Sequence, residues 1–421
     1  MENEQTMSIV TIPREVQVII FSQLKQSDLV RVSETCHRLK DAALDPSLWK
    51  KLTMSYEQIK SNNKACRNKV SQCPSLREIF ITGEEEVIRS DKIMAVLVKA
   101  KDTLTSINLS PSFAGLSWSS FQRIRAMTKL THLALGGEKL RPMDISAFER
   151  LTELRSLKVS GIKCGGGSFI SNEPVETILY TRHILAANTA RRLVLLFSTL
   201  KKLEEVEIRM IRNYPSDRVV ETLVNNNPSL HHLDISSSTP NPIPIARNNR
   251  SLIILAEKCP QLTYIGIGNL TVFSSTNIIK LVTNCPKLKH ANFERTNVND
   301  TALAIMSEKC PDLEYIKISN CRMITQEGLE TFVYQAYAAN LKCLDISDDF
   351  EFQMIFSTHF LKRLKQDLPN LKINSEADED DHDDSSYDSD SDEDYYTNPI
   401  LLALGHYDYY DSSSDDDCCL M

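Results

Sequence analysis

The sequence predicts an α/β protein. A short all-α three-helix module comes first, then a horseshoe-shaped solenoid with parallel strands on its concave face, then a disordered acidic tail. Three observations carry this expectation. One apolar hexad recurs through most of the 421 residues at a nearly constant period. Residues 12–52 contain three short amphipathic stretches bounded by proline and polar residues. Residues 374–421 hold 17 of the 56 Asp and Glu and none of the 48 Lys and Arg.

The hexad reads L-x-x-L-x-L in apolar form. It occurs as LREIFI from Leu76, LTSINL from Leu104, LTHLAL from Leu130 and LRSLKV from Leu154. After a gap of 49 residues it resumes as LEEVEI from Leu203, LHHLDI from Leu230, LTYIGI from Leu262, LKHANF from Leu288, LEYIKI from Leu313 and LKCLDI from Leu341. VETILY from Val175 is read as a weak copy inside the gap. A period in the twenties with this signature is a leucine-rich repeat. Each x-L-x-L strand sends leucines inward and polar residues outward. Amphipathic stretches such as 276–284 and 301–309 fit helices between the strands. One strand–helix unit cannot bury its apolar face alone, so neighbours stack. Cys-Pro precedes the strand at Cys73, Cys259, Cys285 and Cys310, and Asn227-Pro228 takes that place once. Proline there stops the preceding helix, and the cysteine is expected to be inert packing. Residues 310–329 resemble the cysteine-containing leucine-rich repeats.

The domains expected are a flexible 1–10, a helical module at 11–55, a solenoid of about 10–12 repeats at 56–373, and the tail at 374–421. The array is irregular at 160–202 and carries a Pro-rich insertion at 236–249. A second insertion, 161–174, has three consecutive glycines and reads as a loop.

In the module, Pro13 marks a helix start, and Val16, Ile19, Ile20 and Leu24 share one face at helical spacing. A second helix carries Leu29, Val32 and Cys36. A third begins near Arg38, and Asp45-Pro46 breaks the chain before Leu48 and Trp49. Three such helices bury little core alone, so the module is expected to lean on a partner or on the next repeat. The segment resembles the F-box: Ile12-Pro13, Ile20-Phe21, Leu24, the Asp28-Leu29-x-x-Val32-Ser33 run, Cys36 and Leu48-Trp49 match its signature positions. The resemblance implies docking onto a Skp-type adaptor and, through it, a cullin and a RING subunit. It implies the substrate receptor of a Skp–cullin–F-box (SCF) ubiquitin ligase, with a scaffold that does not ubiquitylate its partner as the alternative. On this resemblance Ile12, Pro13, Val16, Ile20, Phe21 and Leu24 contact the adaptor. Leu29, Val32, Leu39, Leu48 and Trp49 divide between that interface and the module's own core.

Composition narrows the function classes. No run approaches the ~18 apolar residues of a membrane span, and the N-terminus reads as lacking a secretory signal. The 11 cysteines then read as reduced thiols in cytoplasm or nucleus. No GxSxG, P-loop or HExxH occurs, so a non-catalytic subunit is expected, without metal or cofactor. Outside the tail, 48 basic residues face 39 acidic ones, a formal +9, but they are dispersed, and no nucleic-acid partner is expected.

Outward positions of the later hexads gather His232, Asp234, Tyr264, His290, Asn292, Glu294, Tyr315 and Lys317. An amphipathic ring ladder there suits a hot spot for an unknown protein substrate. The tail cannot pack. Its serines at 385, 389, 391, 412, 413 and 414 each have an acid three residues on, which suits an acidophilic kinase. Cys418-Cys419-Leu420-Met421 fits a C-terminal prenylation box, so membrane association is expected only through a modified Cys418. One lipid chain next to Asp415–Asp417 would bind weakly.

Overall fold

The computed structural model describes residues 9–71, 73–82, 90–109, 117–136, 142–163, 175–211, 216–237, 250–347 and 356–374. The tail with its serines and Cys418, the start of the chain, and most of both insertions lie outside these residues.

Among the described residues, twelve strands form one parallel sheet in strict sequence order. They are β1 (Lys51–Ser55), β2 (Glu78–Thr82), β3 (Ser106–Leu109), β4 (His132–Leu135), β5 (Ser156–Lys163) and β6 (Glu205–Ile211), followed by β7 (His232–Asp234), β8 (Tyr264–Gly266), β9 (His290–Asn292), β10 (Tyr315–Lys317), β11 (Cys343–Asp345) and β12 (Lys372–Asn374). The helices are α1 (Arg14–Phe21), α2 (Gln26–Ser33), α3 (His37–Ala43), α4 (Tyr56–Ser61), α5 (Asn63–Ser71), α6 (Ser90–Leu97), α7 (Trp118–Arg125) and α8 (Pro142–Ile145). After these come α9 (Val175–Thr199), α10 (Asp217–Asn226), α11 (Ser251–Lys258), α12 (Ser275–Asn284), α13 (Asp300–Lys309), α14 (Gln326–Ala339) and α15 (Thr358–Asp367).

The α12 repeat shows how the sequence specifies a layer. Ser274 accepts from the Asn277 backbone N–H and Asn277 answers, a reciprocal cap that starts the helix. Ile278, Leu281 and Val282 fall on one face and are buried. The helix ends at Cys285, Pro286 prevents its continuation, and Leu288 begins the next inward run. Successive cysteines stack: the Cys285 and Cys310 thiols donate to the carbonyls of Cys259 and Cys285, each at 3.7 Å. Burial pushes these thiols up, to about 11 for Cys259 and about 12 for Cys285 and Cys310, so they act as protonated donors. Asn227 does the same work with an amide, accepting from Leu203 N–H at 2.8 Å and donating to Leu223 at 3.0 Å. Asn269, Arg295 and Asn320 occupy the same turn position in three consecutive layers with positive φ, where asparagine is well tolerated.

Four features differ from the sequence reading. Val175 opens a 25-residue helix, α9, rather than a strand, so the 49-residue gap holds one repeat with a long helix. Residues 161–163 continue β5 and pair with β6 after a register shift between Val159 and Ile162, so the loop starts later than expected. The second helix stops at Ser33, and Cys36 is the exposed N-cap of α3. The sheet also has a strand at each end that the L-x-x-L-x-L hexad does not mark. In β1, Trp49 stands in for the leading leucine of W-x-x-L-x-M, with Leu52 and Met54 buried beside it. In β12, Leu368, Leu371 and Ile373 supply the same pattern.

The helical module is therefore continuous with the sheet. Trp49 is buried and donates its indole N–H to Ala43 O at 2.8 Å, and β1 begins two residues later. The open edge of β1 is closed by a side chain: the Gln26 amide donates to Lys51 O and accepts from Thr53 N–H. An edge strand left bare is a template for unwanted pairing.

Candidate interaction surfaces

The first surface is on α1. Gln17 and Phe21 turn inward, and the Gln17 amide donates to Ile9 O at 2.8 Å. Val16, Ile19 and Ile20 turn outward and are 41%, 67% and 41% exposed. They lie at i, i+3 and i+4, which makes one apolar stripe. Arg14 pairs with Asp45 at 2.6 Å and fixes the stripe's N-terminal end. Asp45 accepts from the Ser47 hydroxyl and backbone N–H; these bonds, with Arg14, hold its carboxyl below the usual range.

Of the eleven residues expected to touch an adaptor, Pro13, Val16 and Ile20 are exposed. Ile12, Leu24, Val32 and Leu48 are half-buried, and Phe21, Leu29, Leu39 and Trp49 are buried in the module's interior. To the expected contacts the structure adds Ile19, which helical spacing already puts on this face and which is the most exposed of the large apolar side chains on α1. An open groove of about 530 Å³ lies where the module meets β1, lined by Phe21, Leu24, Leu29, Leu48, Lys51 and Thr53 among others.

The second surface is the concave face. Parallel register brings His232, Tyr264, His290 and Tyr315 into one row, a strand apart each. His232 stacks on Tyr264 with centroids 4.0 Å apart; Tyr264–His290 and His290–Tyr315 follow at 6.3 and 6.2 Å. The next row is ionic. Asp234 is fully buried, pairs with Arg209 at 2.9 Å and accepts from Ser236 N–H at 2.9 Å. Burial alone would raise its pKa, but Arg209 and Ser236 overcome that and hold it low. Gly266 on β8 makes the room: a Cβ there would sit 2.5 Å from Asp234 Cγ. Glu207 accepts from Lys158 at 2.7 Å and from His232 at 3.0 Å, which outweigh its burial and lower its pKa. On the other side, Lys317 pairs with Glu294 at 3.2 Å.

The tyrosine hydroxyls reach to neighbouring strands. Tyr264 donates to Asp234 at 3.4 Å and Tyr315 to Asp345 at 3.3 Å. Burial and those carboxylates raise both phenols, which stay protonated. Burial lowers His290.

The eight residues expected to form a hot spot thus share one continuous patch, but not one level of access. Asp234, Tyr264, Asn292 and Tyr315 are buried as floor, whereas His232, His290, Glu294 and Lys317 are only partly buried. Lys158 and Arg209, which strand alternation already puts on the concave side, belong to the same network. Their outward positions are readable from the sequence, but their cross-strand partners are not. Among the described residues no group of three His, Cys, Asp or Glu side chains converges as metal ligands would.

Comparison with known proteins agrees with this architecture. Residues 9–55 match the F-box-like family model. No curated protein matches. Among solved structures, the chain is similar to one in the yeast complex of Rad7 and Elc1, with a TM-score of 0.53 and 14% identity over 86% of this chain and 92% of that one. It also aligns with the leucine-rich-repeat-containing protein LegL7 from Legionella pneumophila, at 12% identity and a TM-score of 0.38, over 76% of this chain and all of the other.

Residues 9–55 are thus an F-box-like module. It runs directly into a parallel sheet built from leucine-rich-repeat hexads.

Proposed function

We propose that the chain is the substrate-recognition subunit of an SCF ubiquitin ligase. The F-box-like module binds a Skp-type adaptor, which brings a cullin and a RING subunit, and the repeats hold a protein substrate. The chain supplies no chemistry of its own. It acts by proximity, raising the local concentration of substrate lysines at the ligase core. The observation that carries the reading is the apolar stripe Val16, Ile19 and Ile20, left exposed on a module whose other large apolar side chains mostly face inward. Exposed apolar patches of this kind mark interaction sites. The similar yeast chain comes from a two-protein complex, which is compatible with a partner here.

The test is affinity purification of the full chain beside Val16→Glu/Ile20→Glu, read by mass spectrometry. Wild type is expected to recover adaptor and cullin, and the variant to lose both while retaining proteins held by the repeats. Recovery by both forms, or by neither, overturns the docking assignment. If the adaptor is recovered but the retained proteins keep their half-lives when the chain is depleted, the chain is a scaffold that does not drive ubiquitylation. Phe21→Glu is unsuitable for this purpose, because Phe21 is 1% exposed and its replacement would unfold the module.

A further inference from the structure

The convex side of the first layers carries charge of one sign. Helices α5, α6, α7, α8 and α9 follow β1 to β5 in turn, one layer each. Lys64, Arg67, Lys99, Arg123, Arg191 and Arg192 are exposed there, and none has a carboxylate partner among the described residues. Glu57, Glu153 and Glu204 are already taken by Lys60, Lys202 and Arg155, and Asp144 is buried. That leaves Asp102 and Glu149 among the described acidic side chains of these helices and the turns that follow them. On α10–α14 the balance reverses, with seven acids and four bases. Apolar side chains share the basic stretch. Five large ones are exposed on the described repeats, and three of them, Val98, Trp118 and Leu195, lie among these cations at 37%, 43% and 46% exposure. Val98 immediately precedes Lys99, Trp118 opens the helix that carries Arg123, and Leu195 follows Arg191 and Arg192 at i+4 and i+3 on one face of α9.

We propose that this convex face docks on an anionic lipid surface. The six cations meet the charged headgroups, and Val98, Trp118 and Leu195 enter the headgroup–acyl boundary. The inference is independent of what α1 or the concave face binds. Cations attract any polyanion, so the apolar side chains decide between partners. An RNA strand or an acidic peptide neutralises the charge but leaves Val98 and Leu195 unused, since aliphatic side chains offer no π-face on which bases stack. A bilayer interface uses both kinds of group at once, and tryptophan is enriched there. Helix spacings of about 8–10 Å spread the cations over roughly 40 Å, so a broad charged surface meets them together. The formal charge of −8 does not oppose this, because 17 of the 56 acids lie in 374–421. At physiological salt a charge acts over about 8 Å, so the local balance of the face governs docking. No helix of the described residues is long and apolar enough to cross a membrane, and the attachment is peripheral.

The test is vesicle flotation of the full chain purified from bacteria, which add no prenyl group, so Cys418 plays no part. The vesicles are phosphatidylcholine alone or with about 30% phosphatidylserine. Wild type is expected to float about tenfold more with the anionic vesicles at about 0.15 M salt. It should lose that excess at about 1 M, where the Debye length falls to about 3 Å. Lys99→Glu/Arg123→Glu/Arg191→Glu should abolish the preference, and Trp118→Ala/Leu195→Ala should lower flotation about fivefold at unchanged charge. All five positions are exposed, and an unchanged urea midpoint shows that the fold is kept. Trp118 also reports directly. The chain has two tryptophans and Trp49 is buried, so anionic vesicles should shift the emission to the blue, and Trp118→Phe should remove that shift. Equal flotation with both vesicles, full flotation of either multiple variant, or no emission shift overturns the proposal. Tighter binding of single-stranded RNA or polyglutamate than of vesicles, undiminished in Trp118→Ala/Leu195→Ala, overturns it as well and reassigns the face to that polyanion.

Discussion

Gly266→Ala tests the packing that holds the concave network. The added Cβ would lie 2.5, 2.6 and 2.8 Å from Asp234 Cγ, Oδ1 and Oδ2. None of these atoms can yield cheaply. Oδ2 is bound by Arg209 at 2.9 Å and Oδ1 by Ser236 N–H at 2.9 Å, in a residue with no exposure at all. Overpacking a core costs about 1–3 kcal/mol, and disrupting a buried ion pair about 3–5. The carboxylate is displaced rather than deleted, so the expected loss is about 3 kcal/mol. The assay is urea unfolding of the full chain, with hydrogen exchange at β7 and β8 as a local readout, because repeat arrays can open in parts. A double-mutant cycle isolates the cause. In an Asp234→Ala background the same glycine change meets no carboxylate and should cost less than about 1 kcal/mol, since alanine is otherwise no worse than glycine in a strand. Equal costs in the two backgrounds, or a loss under about 1 kcal/mol in the wild-type background, would refute the reasoning.

Two further outcomes follow from the structure. Gln26→Ala removes the amide that closes the β1 edge; it should cost about 1 kcal/mol and accelerate exchange at the Thr53 amide, and unchanged exchange there would show that the edge is protected in another way. His290 is held below its ordinary value near 6.5 by burial, so the unfolded chain takes up that proton first and stability falls as pH drops below about 6.5 towards the folded value. The slope of the urea midpoint against pH in this window should be shallower in His290→Gln, and identical slopes would exclude His290 as a contributor.

The sequence made the layers legible because an inward leucine every second residue cannot be confused with solvent-facing chain. It was less informative wherever a different residue did the same job. Trp49 fills the first leucine position of β1, and as a tryptophan it resembles the end of the helical module more than the start of the sheet. Val175 and Ile178 have the spacing that opens both a hexad and an amphipathic helix, and only the length of the apolar pattern through Phe197 separates the two. On the concave face, outward positions could be read from alternation. Pairing could not: Arg209 and Asp234 are 25 residues apart in sequence, and their contact depends on register and on the absence of a side chain at Gly266. For the same reason the buried floor, Asp234, Tyr264, Asn292 and Tyr315, could not be told from the accessible residues around it.

The direct passage from Trp49 into β1 leaves no linker between the helical module and the solenoid. In many two-part proteins a flexible hinge lets one part sample many orientations, and selectivity then comes from binding alone. Here the backbone hydrogen bonds of β1 and β2 fix the angle at which the repeats leave the module. A protein seated on the concave face would be carried at a set bearing from whatever holds α1. Under the proposed function, only lysines within a limited arc of that protein would come within reach of the transfer site. Which lysines are used would then depend on the number of repeats between β1 and the binding patch. Adding or deleting one repeat upstream of β5 would leave affinity intact and redirect the modification, turning the repeat count into a setting for aim.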